Sequence, residues 1–242
     1  MTTRARSFDT AAVSYGKHRP GYPPALFDAL EELTGRPLAG ARVADIGAGT
    51  GIATALLHAR GADVLAVEPG DGMAAELRRA HPRIPVVRGD GDRLPLPSAA
   101  FDLLTYAQAW HWTDPERSVP EARRVLRPGG ALALWWNDAD LTVPWIAAQG
   151  ERLAAFFGAA GGSPVRALPQ GIGEFTTRSV RWSRRVPLDT HLANLASHSA
   201  FLVLGEERTR AYFAGERALL APLFPEGTVE ESYVVTLRVA RV

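Results

Sequence analysis

The sequence predicts an α/β fold: a doubly wound, mostly parallel sheet of seven strands with helices on both faces and a small helical lid. Short apolar bursts bounded by Gly, Pro or Asp recur at residues 41–46, 64–67, 84–87, 101–106 and 131–136. Near-continuous apolar runs of this length are what strands buried on both faces require. Segments with helical spacing separate them at 52–60, 73–80 and 115–126, and such alternation argues for parallel crossovers. After Trp136 the alternation breaks. A helix is predicted at 144–157, a Gly-rich loop at 158–162, a strand at 179–186, helices at 188–196 and 206–220, and a closing strand at 230–239.

Each element has local chemistry behind it. Pro23-Pro24 opens a helix in which Leu26, Phe27, Leu30 and Leu33 share one face, and Gly35 follows it; Pro at the start and Gly past the end is the usual helix asymmetry. This helix is expected to cover the sheet edge. The helix over 115–126 is stopped by Arg127-Pro128-Gly129-Gly130. In a doubly wound sheet, ligands bind at the carboxyl ends of the strands, so any chemistry is expected there. The chain reads as one domain: residues 1–40 as an N-terminal helical cap, 41–136 as the ligand-binding core, and 137–242 as lid and closing strands.

Composition excludes several classes. A chain of 242 residues, 46% hydrophobic and 22% charged, is neither disordered nor fibrous. With 27 basic and 26 acidic residues, a net charge of +1 gives no global field for nucleic acid or an anionic membrane. The absence of cysteine removes disulfides, thiolate metal sites and a cysteine nucleophile together. The first residues lack an apolar leader, and no stretch approaches the roughly 20 apolar residues of a membrane span, so cytoplasmic residence is the expectation. No Asp, Glu or His grouping has metal-site spacing, and no metal is expected.

The strongest motif is Val43-Ala44-Asp45-Ile46-Gly47-Ala48-Gly49-Thr50-Gly51, an apolar strand running into three glycines and then a helix. A dinucleotide fingerprint would place its third glycine at Ile52 rather than Gly51. Asp45 would also sit awkwardly near a pyrophosphate. Both departures favour a nucleoside ligand without phosphates, whose charged amino group meets a carboxylate. The second strand ends in Glu68-Pro69-Gly70; a carboxylate there can accept both hydroxyls of a ribose, at about 1.5–3 kcal/mol per charge-assisted bond. After the third strand, Gly89-Asp90-Gly91 offers an acceptor for an adenine amine.

Taken in order, these residues resemble the class I S-adenosylmethionine-dependent methyltransferases, which have a Rossmann-like fold. The matching positions are Asp45 to Gly51, Glu68, Gly89-Asp90, Leu94-Pro95, Phe101-Asp102 and Leu126 to Gly130, with Tyr15, Arg19-Pro20 and Tyr22-Pro23 upstream. The resemblance implies that Asp45 and the loop of Gly47, Ala48, Gly49 and Gly51 hold the methionine end of S-adenosyl-L-methionine, that Glu68 and Pro69 hold the ribose, and that Gly89, Asp90 and Gly91 hold the adenine. Tyr15 and Arg19 would cap the methionine carboxylate, and Ala107 and Gln108 complete the cofactor side. S-adenosyl-L-homocysteine would be the product. One departure is Gly91 where Ala is usual, which is expected to loosen the adenine contact. Another is Gln108-Ala109-Trp110-His111-Trp112 in place of an Asn-Pro-Pro-Tyr signature, which weakens a nucleic-acid or protein substrate. Gln-x-x-His-Trp is similar to a subgroup that includes trans-aconitate-type and natural-product methyltransferases, implying a small-molecule acceptor.

Displacement at a sulfonium releases a neutral thioether, so positioning and exclusion of water carry most of the catalysis. Trp110, Trp112 and Trp145 are candidates to line the substrate pocket, whereas Trp135, inside a strand, is expected in the core. A base is needed only for a protonated nucleophile. His111 is the best-placed catalytic candidate, although a His bound to backbone fits the sequence equally. His191 and His198 fall in the lid segment and are candidate substrate contacts. Arg178, Arg181, Arg184 and Arg185 read as a solvated strand face, with an anion site as the alternative. The rival reading with the same fold and ligand is a cyclase that retains the cofactor without consuming it.

Overall fold

A computed structural model of the chain describes residues 16, 18–158, 168–202, 204 and 206–242. Among them seven strands form one sheet: β1 (Arg42–Ile46), β2 (Asp63–Glu68), β3 (Val86–Arg88), β4 (Phe101–Ala107), β5 (Leu126–Ala139), β6 (Thr176–Pro187) and β7 (Thr228–Arg241). The spatial order is β3-β2-β1-β4-β5-β7-β6. The first five are parallel, and β7 runs antiparallel to both β5 and β6. The strand order reverses between β1 and β4, which opens a crevice at their carboxyl ends.

The helices are α1 (Pro24–Thr34), α2 (Ile52–Ala59), α3 (Asp71–Ala80), α4 (Pro115–Val125), α5 (Pro144–Phe157), α6 (Leu188–Ala196), α7 (Ser199–Leu202) and α8 (Glu206–Leu220), with a 3₁₀ turn at Trp110–Trp112. On one face of the sheet Leu26, Phe27 and Leu30 of α1 and Leu57 of α2 pack with Val43, Leu103, Trp135, Val235 and Leu237. On the other, Ala122 and Val125 of α4 pack with Ile46, Leu104, Tyr106, Leu134 and Trp136. Trp135 is a core residue, meeting Tyr22 and Phe27 edge-on at 5.9 and 6.4 Å. Among the described residues no helix is long and apolar enough to cross a membrane.

Several boundaries differ from the sequence expectation. α1 covers a face of the sheet rather than its edge, because its apolar stripe meets Trp135, Val235 and Leu237 from above. β3 starts at Val86 because Pro85 has no N–H to give to a ladder; Ile84 closes the turn before it, donating its N–H to His81 O at 3.0 Å. β5 begins at Leu126, paired with Phe101, and resumes at Ala131 opposite Leu103 across an irregularity. The Pro-Gly-Gly run thus ends α4 without leaving the sheet. Of the predicted Gly-rich loop only Gly158 lies within the described residues. At the amino edge, Asp102 forms ion pairs with Arg36 and Arg127 and accepts the Arg42 N–H at 2.8 Å, which pins three segments below the site.

Candidate active site

β1 delivers its glycines where the chain must turn sharply. Gly47, Gly49 and Gly51 all have positive φ, at 67°, 58° and 90°, a region that disfavours side chains. A Cβ on Gly47 would sit 2.6 Å from the Ala109 Cβ, and one on Gly51 would sit 2.8 Å from Leu77 Cγ. A Cβ on Gly49 would meet nothing within 4 Å. Two glycines therefore serve close packing, and the middle one opens outward.

That opening is a cavity of about 470 Å³ running from the loop to the lid. Gly47, Ala48, Gly49, Glu68, Pro69, Asp90, Gly91, Ala107 and Gln108 line one part of it. Arg19, His111, Trp112, Trp145, His191 and His198 line the rest. Asp45, Gly51, Gly89 and Trp110, also candidates from the sequence, do not. Tyr15 lies outside the described residues.

Each of the four has a physical reason. Asp45 is fully buried under the loop, accepting the hydroxyls of Thr54 at 2.6 Å and Thr105 at 2.7 Å. It ties β1 to α2 and β4. Burial raises its carboxyl to about 6, against the downward pull of the two threonines. Gly51 backs onto Leu77, and a Cβ on Gly89 would overlap the Pro95 ring. Trp110 turns inward, its ring edge-on to Tyr106 at 4.9 Å. At Gly91 a Cβ would sit 2.7 Å from Thr113 Cγ2, so glycine there also serves packing.

The donor set separates ligand classes. The Gly47 and Ala48 amides donate to Val67 O at 2.8 and 3.2 Å, and the Gly49 amide donates to Glu68 Oε2 at 2.7 Å. A phosphate cradle needs such amides uncommitted, and these are spent. Glu68 is buried at the end of β2, its Oε1 accepting the Gly70 N–H at 2.7 Å. A carboxylate has about four acceptor positions, and Glu68 lines the cavity. Asp90 Oδ1 caps its own turn by accepting the N–H of Asp92 and Arg93 at 3.1 and 3.0 Å. Tyr106, buried at the end of β4, has a hydroxyl with no hydrogen-bond partner among the described residues and lines the same cavity. The carboxylate, the open Gly49 cradle and the unmatched hydroxyl fit a nucleoside with a cationic tail better than a phosphate ester.

β4 ends in strain. Gln108 is a non-glycine residue with φ 57°, an uncommon conformation that clusters at functional sites. It is held there by its N–H to Trp135 O at 2.9 Å and its Nε2 to Asn137 O at 3.2 Å. Next along the chain, His111 Nδ1 accepts the Trp136 indole N–H at 3.1 Å.

The lid contributes groups that sequence reasoning missed. Glu231, buried near the start of β7, accepts from His191 Nδ1 at 2.7 Å, Arg184 Nε at 2.6 Å, the Tyr233 hydroxyl at 2.9 Å and Asn194 Nδ2 at 3.3 Å. Burial pushes its carboxyl up, and these partners overcome that and hold it at about 2. His191 Nε2 meets Gln149 Oε1 at 3.1 Å, and Gln149 Nε2 donates to Glu216. Arg178, Arg181 and Arg185 are exposed on β6, as a solvated face requires, with Arg178 paired to Glu32 and Arg181 to Asp140, whereas Arg184 turns partly inward and pairs with Glu231. Asn137 ends the apolar burst of β5, a polar stop at the expected edge that was a usable signal. Glu231 and Tyr233 reach that edge only because β7 runs backwards, which no local pattern announces.

Comparison with known proteins agrees with this architecture. A methyltransferase domain family model matches residues 44–134. An uncharacterized methyltransferase of Mycobacterium tuberculosis is 39% identical over 196 residues, covering 80% of this chain and 76% of that one. A demethylmenaquinone methyltransferase of Beutenbergia cavernae is 38% identical over 128 residues, 52% of each chain. Among solved structures, one assigned as a type II methyltransferase from Anaeromyxobacter dehalogenans superposes with a TM-score of 0.71 at 28% identity, covering 92% of this chain and 97% of that one. With the family match lying on the strands that build the glycine loop and Glu68, the chain belongs to the class I S-adenosylmethionine-dependent methyltransferases.

Proposed function

We propose that the cavity holds S-adenosyl-L-methionine against the glycine loop and Glu68, and that its methyl group passes to a small-molecule acceptor seated beneath α6. The observation that carries this reading is that one continuous cavity reaches from Gly49 and Glu68 to Trp145, His191 and His198. Cofactor and acceptor would share one chamber, which holds the two reactants together as displacement chemistry requires. The natural-product setting rests on the sequence from Gln108 to Trp112 alone.

When bound, the cofactor supplies an electrophilic methyl group whose leaving group is a neutral thioether. In this reading Glu68 accepts the ribose hydroxyls, Asp90 and Gly91 flank the base, and Arg19 meets the carboxylate of the methionine end. Ala107 and strained Gln108 close the wall where β4 ends. His111 takes, in this reading, a different role from the one the sequence suggests. An indole only donates, so the neutral His111 ring carries its proton on Nε2 and presents a donor rather than a base. That N–H orients the acceptor's oxygen or nitrogen lone pair.

The test is calorimetric titration of wild type and Glu68→Ala with S-adenosylmethionine and S-adenosylhomocysteine. Wild type is expected to bind in the micromolar range, and the variant to lose at least tenfold, about 1.4 kcal/mol. Failure of wild type to bind either ligand would reject the reading.

A further inference from the structure

We propose that two buried amides, Asn137 and Asn194, read the acceptor molecule, Asn137 by donating to an oxygen and Asn194 by accepting an O–H or N–H. The acceptor is then an amide- or hydroxyl-bearing compound, neutral at both contacts. This inference rests on the cofactor reading above and names the substrate class of the same site.

The orientation of each amide is fixed by its partner. Trp182 Nε1 donates to Asn137 Oδ1 at 2.9 Å, and an indole cannot accept. Asn137 therefore turns Nδ2 away from Trp182, where its two N–H groups are buried with no partner among the described residues. Asn194 Nδ2 donates to Glu231 Oε1 at 3.3 Å and to the Tyr233 hydroxyl at 3.1 Å. Its Oδ1 is left buried with no partner among the described residues, and the residue is 4% exposed. Both amides line the cavity. They also belong to one rigid assembly, since the Trp182 and Tyr233 rings stack at 5.1 Å between them.

Glu231 and His191, beside these amides, are committed to other partners. Glu231 takes donors from His191, Arg184, Tyr233 and Asn194, and His191 spends its second nitrogen on Gln149. What this wall offers at Asn137 and Asn194 is one unmatched donor and one unmatched acceptor. Sites built to hydrogen-bond a substrate discriminate strongly against analogues lacking the group, because buried polar atoms are then left unpaired. Trp145 and Ile146 supply the apolar remainder of the surface.

The experiment loads the protein with S-adenosylhomocysteine and titrates benzamide, acetophenone, toluene and benzoate by ligand-observed NMR. Benzamide is expected to bind at least tenfold more tightly than toluene or benzoate, with acetophenone between. Asn137→Asp keeps an acceptor for Trp182 while replacing the N–H donors, so benzamide and acetophenone should both weaken at least tenfold with S-adenosylhomocysteine affinity unchanged. Asn194→Ala is the second variant, and should abolish the preference for benzamide over acetophenone. Equal binding of toluene, stronger binding of benzoate, no binding of any probe at millimolar concentration, or indifference of both variants would overturn the proposal. Failure of the cofactor reading shows separately, as absence of S-adenosylhomocysteine binding before any probe is added.

Discussion

Trp136 and His111 are joined by a hydrogen bond of 3.1 Å in which the indole N–H points at imidazole Nδ1. The bond links the end of β5 to the turn after β4 and sets the tautomer of the histidine. It occupies the nitrogen that a base would need on that side of the ring.

The first prediction follows from that bond. His111→Gln retains a side-chain N–H and is expected to keep methyl-transfer activity within about tenfold, while His111→Leu loses more. A general base typically contributes 10²–10⁴-fold, so equal losses of that size in both variants would restore the base assignment. Single-turnover rates with either variant make the comparison.

Asp45 gives a pH prediction. Burial raises its carboxyl from an ordinary 3.8 to about 6 in the folded protein, so the folded state binds the proton more tightly. The contribution to stability is complete below about 3.8 and is lost as pH rises through about 6. Two pKa units correspond to about 3 kcal/mol. Asp45→Asn should therefore gain stability relative to wild type between pH 4 and 7, on the order of that amount, in urea unfolding. A difference that stays constant with pH would contradict the burial argument.

Glu231 behaves in the opposite sense. With its carboxyl held at about 2, it stabilises the fold above the ordinary carboxylate range and the effect is lost only as pH falls toward 2. Glu231→Gln leaves Arg184 and His191 facing an uncharged amide. Breaking a buried pair this way costs about 3–5 kcal/mol, and a large fall in melting temperature at neutral pH is expected. Little change would mean that the lid does not depend on this carboxylate.

The glycines separate packing from binding. Gly47→Ala places a methyl against Ala109 in a positive-φ position and should unfold more readily by 1–3 kcal/mol, about the range for overpacking. Gly49→Ala meets no neighbour, so it should cost only the backbone strain, about 1–2 kcal/mol, yet lose S-adenosylhomocysteine binding. Chemical denaturation alongside calorimetry distinguishes the two.

Much of the architecture was legible because it rests on local periodicity. The parallel strands and their helices follow from apolar runs and breakers, and the Gly47 to Gly51 motif and Glu68 stand at strand ends, where one ligand-binding edge is guaranteed. What was not legible needed register or direction. Asp45 faces Thr105 only once β1 and β4 are aligned. Trp110 and Trp112 diverge because a single 3₁₀ turn sends one ring into the core and the other to the cavity. Glu231 and Asn194 meet across a lid whose packing is wholly long-range.

β7 lies between β5 and β6 in space but after both in sequence. During synthesis β6 is thus an orphan, because its sheet neighbour has not yet been made. The parallel half, with its glycine loop and Glu68, has its five strands in place by Ala139 and can assemble in the order in which it emerges. The wall carrying Asn194, Glu231 and Tyr233 cannot be completed before β7 is made. In the proposed reading, the wall that meets the acceptor therefore forms after the edge that holds the cofactor.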